Sequence, residues 1–564
     1  MWHKLSSRVR YFCSPFRGLS IDSTTKSVDL KIDSSLTWYS CGPTVYDVAH
    51  LGHARTYVCS DIIRRILSDH QGISVKFAMG MTDIDDKIIT KGKDRGFGHR
   101  DEYSKMTRYY EDLFWTDMSH LNVQRPNAIL RVTEHIPEIL QFIQNILDSG
   151  YAYIADDGVY FDVSKWETHT DNYDCFGMRG IPQDDEPQHQ IGGDNVVYNG
   201  KKKNPMDFAL WKVTGTTNDI SLPIWHSPWG YGRPGWHIEC SAMTFAYFGA
   251  HVDIHSGGID LQFPHHTNEI AQCESHNLHL GLNISGKKWV SRWIHTGHLH
   301  IQGRKMSKSL KNFISIQQFL SSDITDSPAD DFRLFCLQYR YRTALTYSSE
   351  RIEEAAGFRK KIVNFCGYVD TLLTADASNK ENDVVNTSCK PSLESSRLEG
   401  LLGTVQQQVE LELRNDFNTP TVLLLFSELV GQTVQYMNLL LKEKQQHPLE
   451  PVLAVREYVL RLLDMLGCRF AALLRVNGVN SSSSSGSSNR NNEEEQKKAS
   501  AVVGLLVEQR AIVRSLALKM LKANPENKEL KDLLSTCDQT RRDLNSLGIE
   551  LEDLPGGISN WKVK

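Results

Sequence analysis

The chain has 564 residues and a mass of 64.1 kDa, with 40% apolar and 23% charged residues, a net charge of −5 and a mean hydropathy of −0.39. This excludes a collagenous, wholly disordered or membrane-embedded protein: the longest apolar runs, such as Thr421–Phe426, fall far short of the about 20 residues that a span requires. Eleven cysteines, odd in number and spread over the whole chain, do not form a small disulfide scaffold. At about 100–200 residues per domain, the length predicts about three to five domains. The net acidity neither indicates nor excludes a nucleic-acid partner, because a basic patch can sit on an acidic body.

Residues 1–20 carry Lys4, Arg8, Arg10 and Arg17 with several serines, and the first carboxylate is Asp22. A basic, serine-rich, acid-free start is the composition of a mitochondrial transit peptide, and the apolar core of a secretory signal is missing. Matrix localisation is therefore expected. From Thr37 to Asp47 the chain reads as a strand broken at Gly42-Pro43. A helix then runs from HLGH, with Val58, Ile62 and Ile66 on one face, to a stop at Gly72, and VKFAMGM follows as a second strand. This is a βαβ unit, which points to an α/β fold with a doubly wound parallel sheet.

Residues from about 120 to 235 interrupt the alternation and read as an insertion with its own helix, Ile136–Leu147, and short strands. HVDIHSGGIDLQFPHH and WVSRWIHTGHLHI return to the strand pattern. After 346 the pattern is helical, with entries at Ser349 and at Asp416 before Thr419-Pro420. Residues 480–498, rich in Ser, Asn and Glu, cannot build a core and form a flexible insert. The last segment, 499–564, is helical with a slight excess of Lys and Arg, which suits RNA contact. The predicted division is thus 1–20, 21–345 with the insertion, 346–479, 480–498 and 499–564.

Two short motifs suit phosphate chemistry. His50 and His53 lie three apart where a strand meets a helix, and a helix amino terminus attracts anions. Gly52 between them leaves space for a flat base or ribose. Lys305 and Lys308, in RKMSKSLKN, place two ammonium groups on a loop after a late strand, suited to charge developing on a leaving pyrophosphate. In a doubly wound sheet both motifs can reach the carboxyl edge, where ligands bind. Cys41, Cys240, His265 and Glu269 are one candidate metal set. His265 and Glu269 are four apart, so they share a helix face, and Pro264 suits the helix start. No CxxC knuckle is present.

HLGH and KMSKS are similar to the two signature motifs of class I aminoacyl-tRNA synthetases. CGPTVYD, MTDIDDK, NPMDFALWK, GRPGWHIECSAM, FPHHTNEIAQ and DFNTP, in this order from residue 41 to 420, resemble cysteinyl-tRNA synthetase. The resemblance implies a Rossmann catalytic domain, a helical tRNA-contacting bundle and a small anticodon-binding segment. It implies ATP-dependent ligation of L-cysteine to tRNA(Cys) through a cysteinyl-adenylate. It further implies one Zn2+ on Cys41, Cys240, His265 and Glu269 that receives the substrate thiol, and Mg2+ accompanying ATP. The amino acid would meet Gly42, Thr82, Trp236 and His265. ATP would meet His50, His53, Gly258, Asp260, Lys305 and Lys308, with the two histidines and two lysines as the catalytic set. A soft ion preferring a thiolate to an alcohol separates cysteine from serine, near-isosteres that shape alone discriminates poorly, so no editing domain is needed.

The pattern departs from its relatives in the Ser-rich insert and in Lys311. No obligatory protein partner is inferred, and no residue stands out as general base of the transfer step. Lys305 and Lys308 would also offer amines to pyridoxal phosphate, a further cofactor considered for a persulfide-forming side activity. A ligase joining cysteine to a small amine would lack the long portion after Arg342. A non-catalytic tRNA-binding paralogue would show eroded motifs. The methionine enzyme would carry CxxC knuckles.

Overall fold

The computed structural model describes residues 35–170, 201–215, 219–282, 288–306, 312–380, 392–443, 448–482 and 527–546, the strands at 19–21, 28–30, 549–554 and 558–563, and isolated positions in 173–177 and 510–521. Most of 1–34, which holds the expected transit segment, lies outside them. So do Lys308, Lys311 and nearly all of the Ser-rich insert. Contacts divide the chain into two units, Met1–Arg475 and Val476–Lys564.

The first unit is built on a five-stranded, wholly parallel sheet: β1 (Ser35–Ser40), β2 (Ser74–Met81), β3 (Ala128–Arg131), β4 (Val252–Gly258) and β5 (Val290–Thr296). The order is β5-β4-β1-β2-β3. The chain runs outward from β1 in one direction and returns to β4 on its other side, so the strand order reverses between β1 and β4. A crevice opens there at the carboxyl ends, the usual ligand site of such sheets. A parallel sheet is covered by helices on both faces, and Trp38, Tyr39, Ala78, Met81, Val252 and Ile254 are buried, as are the polar residues Ser40, His255, Ser256, His295 and Thr296 toward the carboxyl ends.

The expected βαβ unit is present as β1, α1 (Leu51–Arg65) and β2. Gly72 ends the crossover with φ +69°, a left-handed position suited to glycine. The insertion begins later than expected. Residues 128–131 pair with β2 as the edge strand of the main sheet. The helix Ile136–Asp148 packs back on the helix Thr267–His279, with Phe142 stacked 3.8 Å from His276 and Asn145 bonded to it at 3.0 Å. The four-residue strand is too short to carry a periodic signal. The intervening sheet, antiparallel, comprises Ala152–Ala155, Gly158–Phe161, Phe208–Gly215 and Tyr231–Pro234.

Helices Ser349–Lys380, Leu393–Arg414, Thr419–Glu443 and Glu450–Met465 form the bundle, and Arg469–Ser482 runs across the boundary between the units. The second unit contains the helix Lys528–Ser546 and an antiparallel pair, Ile549–Leu554 with Ile558–Val563. No helix among the described residues is long and apolar enough to cross a membrane.

Candidate active site

Cys41 follows β1 directly, and its backbone N–H donates to Ser256 O of β4 at 2.9 Å. Its thiol therefore lies at the reversal point. Cys240 comes from α2 (Trp236–Phe248), while His265 and Glu269 flank the start of α3 (Thr267–His279). The regular helix begins at Thr267, three residues after Pro264, because Phe263 is extended (φ −138°, ψ 134°). His265 and Glu269 nonetheless meet across that start, with Nε2 to Oε1 at 2.9 Å. Cys41 Sγ lies 3.8 Å from Cys240 Sγ, 3.6 Å from His265 Nε2 and 4.0 Å from Glu269 Oε1. All four donor atoms lie within 4.8 Å of one another, and all four residues are buried.

Ligands at about 2.0–2.3 Å around a tetrahedral ion stand about 3.3–3.8 Å apart, so this donor set fits a zinc-sized ion. A second set is interleaved with it: Cys41, His255, His266 and Glu269. The environment favours the first set as ligands. His255 Nε2 holds the other carboxylate oxygen of Glu269 at 2.9 Å, as an orienting partner does. His266 Nδ1 pairs with His295 Nε2 at 2.8 Å. His237 Nδ1 lies 2.9 Å from His265 Nδ1, and Trp236 stacks on the His265 ring at 4.5 Å. Sequence reasoning did not single out His237, His255, His266 or His295. The signal was there, since each lies within a quoted motif, but only the fold sets His255 against Glu269, His237 against His265 and His295 against His266.

The electrostatics of the cluster are those of a cation cradle. Burial works to raise Glu269, yet the attraction of His255 and His265 holds it at about 2. Burial opposes a charge on His265, but Glu269 and Cys240 lift it to about 10. The hydrogen bond with Cys41 pulls the Cys240 thiol down to about 6, while burial pushes Cys41 well up. Burial depresses His295 to about 3 and His266 well below its usual range. Anionic and cationic partners are thus stabilised together in a space that excludes water.

The other expected contacts of the amino acid lie on the rim. A Cβ on Gly42 would come within 1.9 Å of Gly80 O, so no side chain fits there. Thr82 follows β2, and its hydroxyl lies 3.4 Å from Oε2 of the buried Glu239. Burial raises that carboxyl well above its usual range.

The histidine turn differs from its expected picture. His50 is the N-cap of α1: its Nδ1 accepts from Gly52 N at 3.1 Å, and His53 Nδ1 accepts from His50 N at 3.4 Å. The rings stack at 3.9 Å. A Cβ at Gly52 would meet the His50 ring at 2.8 Å, so the glycine makes room for the capping imidazole. With Nδ1 accepting, each ring carries its proton on Nε2. The described residues on either side of the lysine loop lie alongside: the Gly52 Cβ position is 3.8 Å from Met306 O, and Leu51 N donates to Ile314 O at 3.0 Å. Lys305 Nζ lies 3.1 Å from Asp260 Oδ2, and that ion pair outweighs burial to lower Asp260. A Cβ on Gly258 would lie 2.5 Å from Asp260 Oδ1. Short contacts thus link Gly258 to Asp260 and Asp260 to Lys305, and the residue after Lys305 to the histidine turn.

Residues 28–357 match the family model described as tRNA synthetases class I (C) catalytic domain. The "Cysteine--tRNA ligase, cytoplasmic" of Dictyostelium discoideum is 35% identical over 542 residues, spanning 94% of this chain and 74% of the relative. The "Probable cysteine--tRNA ligase, mitochondrial" of Xenopus tropicalis is 36% identical over 93% of this chain and 86% of its own length. The Mycobacterium tuberculosis methionyl-tRNA synthetase in complex with methionyl-adenylate superposes with a TM-score of 0.53 at 15% identity, over 78% of this chain and 90% of that one. That likeness concerns the fold alone.

Proposed function

The chain belongs to the cysteine–tRNA ligase family of class I synthetases, an enzyme family that charges tRNA with cysteine, and on that premise we propose how its own residues carry the reaction. The single observation that carries the reading is the convergence of Cys41, Cys240, His265 and Glu269 at the carboxyl ends of β1 and β4. Zinc bound there supplies a soft cation that prefers sulfur to a neutral hydroxyl, which is the difference between cysteine and serine. His255 fixes the Glu269 carboxylate, and His237 and Trp236 fix the His265 ring. Gly42 and Thr82 border the amino acid, with His265 and Trp236 opposite.

ATP lies along the histidine turn, its ribose toward Gly258 and Asp260 and its phosphates toward the Nε2 protons of His50 and His53. Magnesium accompanies the nucleotide. The cysteine carboxylate attacks the α-phosphate in line, the bond to the β-phosphate oxygen breaks, and pyrophosphate departs toward Lys305 and Lys308. Catalysis is positioning and charge stabilisation. A terminal ribose hydroxyl of tRNA(Cys) then attacks the adenylate carbonyl and releases AMP. The helices after 346 and the segment 499–564 contact the tRNA, where unstacked anticodon bases are read directly. Pyridoxal phosphate is not proposed: Lys305 is engaged by Asp260.

Amino-acid-dependent ATP–pyrophosphate exchange across cysteine, serine and methionine, with metal analysis of the same sample, tests this reading. Exchange with cysteine alone and one zinc per chain is expected. Comparable exchange with serine, or full activity without metal, would overturn it. The matrix address of residues 1–20 is proposed from their composition. Deleting them should abolish import and leave activity intact.

A further inference from the structure

The DFNTP motif, Asp416 to Pro420, joins two helices of the bundle, and the reaction above makes no use of it. Asp416 and Phe417 have φ of 53° and 52°, in the left-handed region that a bulky residue such as Phe rarely adopts. Both are buried. Two such residues in succession persist only where the surroundings over-determine them. Here the surroundings are specific. Tyr341 Oη donates to Asp416 Oδ1 at 2.9 Å, and Arg342 Nη2 donates to Asp416 Oδ2 and to the Tyr341 hydroxyl. Arg340 Nη1 lies 3.6 Å from the same carboxylate. Thr419 Oγ1 donates to Leu337 O at 2.9 Å.

The segment held in this way supports the strand pair that ends in Lys305. Residues 340–342 lead into the strand Leu345–Thr346, which pairs in parallel with Leu299–Ile301. That strand pairs antiparallel with Arg304–Lys305, placing His300 opposite Lys305. Arg55, two residues past His53 and fully buried, closes the frame by donating to the carbonyls of His298, Tyr341 and Thr343. Histidine turn, lysine hairpin and bundle are therefore linked through residues 340–346, which the Asp416 carboxylate holds from the bundle side.

We propose that Asp416 is a positioning residue for the activation step: by fixing residues 340–346, its carboxylate sets the height of Lys305 beside the histidine turn. The inference rests on the nucleotide site assigned above and adds to it a device in the bundle.

Asp416→Asn tolerates the left-handed backbone but removes the charge that holds Arg342 and Arg340. Cysteine-dependent exchange at saturating substrates should fall about tenfold, with a raised KM for ATP, while the KM for cysteine and bound zinc stay within about twofold. Tyr341→Phe, which removes one donor, should show the same split with about a threefold loss, and it carries the test if the first variant fails to fold. Asp416→Asn placed on Lys305→Ala should cost nothing more, because both act through one ammonium group. Unchanged exchange overturns the proposal. So does a parallel loss of cysteine KM, zinc and thermal stability, or full additivity with Lys305→Ala. If Lys305→Ala itself leaves exchange intact, the nucleotide-site reading fails. If it abolishes exchange while Asp416→Asn is silent, the positioning role alone fails.

Discussion

The proposed site has two unlike halves. On the metal side, Cys41, Cys240, His265 and Glu269 are buried, and each is held by a further side chain or by another donor. On the nucleotide side, Lys305 and Asp260 keep side-chain exposures of 20% and 36%, and the lysine sits on a two-residue strand. The difference teaches how the work is divided. Telling sulfur from oxygen requires donors set in place beforehand, in a space without competing water. Stabilising a leaving pyrophosphate requires cations that can follow a group as it moves and leaves. The first is built into the core of the sheet, the second onto a hairpin at its rim.

Removing a donor from the core half should have the largest effect. Cys240→Ser is expected to reduce cysteine-dependent exchange at least about 1000-fold and to release the metal while the circular dichroism spectrum stays native, since thiolate ligation dominates the affinity. Normal exchange with full zinc content would break the division. Lys305→Ala should reduce the exchange rate about 100- to 1000-fold, the range for losing one preorganised charge, with zinc content untouched. Loss of zinc in that variant would mean that the halves are not separate.

His255→Ala sharpens the comparison from within the core. It leaves every proposed ligand in place but frees Glu269, so zinc affinity should drop about 10- to 100-fold, as read by competition with a chelator. A pH series on the metal-free protein gives the smallest effect. Glu269, held at about 2, contributes stability that is present above the ordinary carboxylate value near 4.5 and is lost as pH falls through about 2. His265, raised to about 10, contributes stability that is complete below its ordinary value near 6.5 and is lost as pH rises through about 10. Thermal midpoints of the chelated protein should therefore decline on both flanks. Zinc uptake at neutral pH should release protons, measurable by calorimetry in buffers of different ionisation heat. Flat midpoints between pH 7 and 10 would show that His265 is not held by its neighbours.

The same contrast decides how much could be read in advance. The βαβ start, the four-residue spacing of His265 and Glu269 and the placement of both signature motifs follow from local pattern, because helix and strand periods are local. The four residues of β3 were absorbed into the insertion, since a strand that short has no period of its own. Asp416 reads as a helix entry, yet its carboxylate is turned away to Arg342 and Tyr341, and that choice depends on a segment about 75 residues earlier, well beyond any local signal. The histidines of HLGH read as candidate phosphate ligands, and only the structure shows that their Nδ1 atoms also cap the helix.

By itself the sequence determined which residues could serve: the two thiols, the imidazole and carboxylate one helical turn apart, the paired histidines and the lysine loop. Only the tertiary structure decided which of them meet. Cys41 and Cys240, about 200 residues apart, approach to 3.8 Å because the helix Trp236–Phe248 delivers Cys240 to the end of β1, at the point where the sheet reverses. Of the adjacent pair His265 and His266, both bring Nε2 to Cys41, at 3.6 and 3.5 Å, but only His265 shares a donor set with Cys240, while His295 holds His266 through Nδ1. The reason is physical: periodicity specifies the face of an element, but only packing between elements sets the distances on which coordination and charge stabilisation depend.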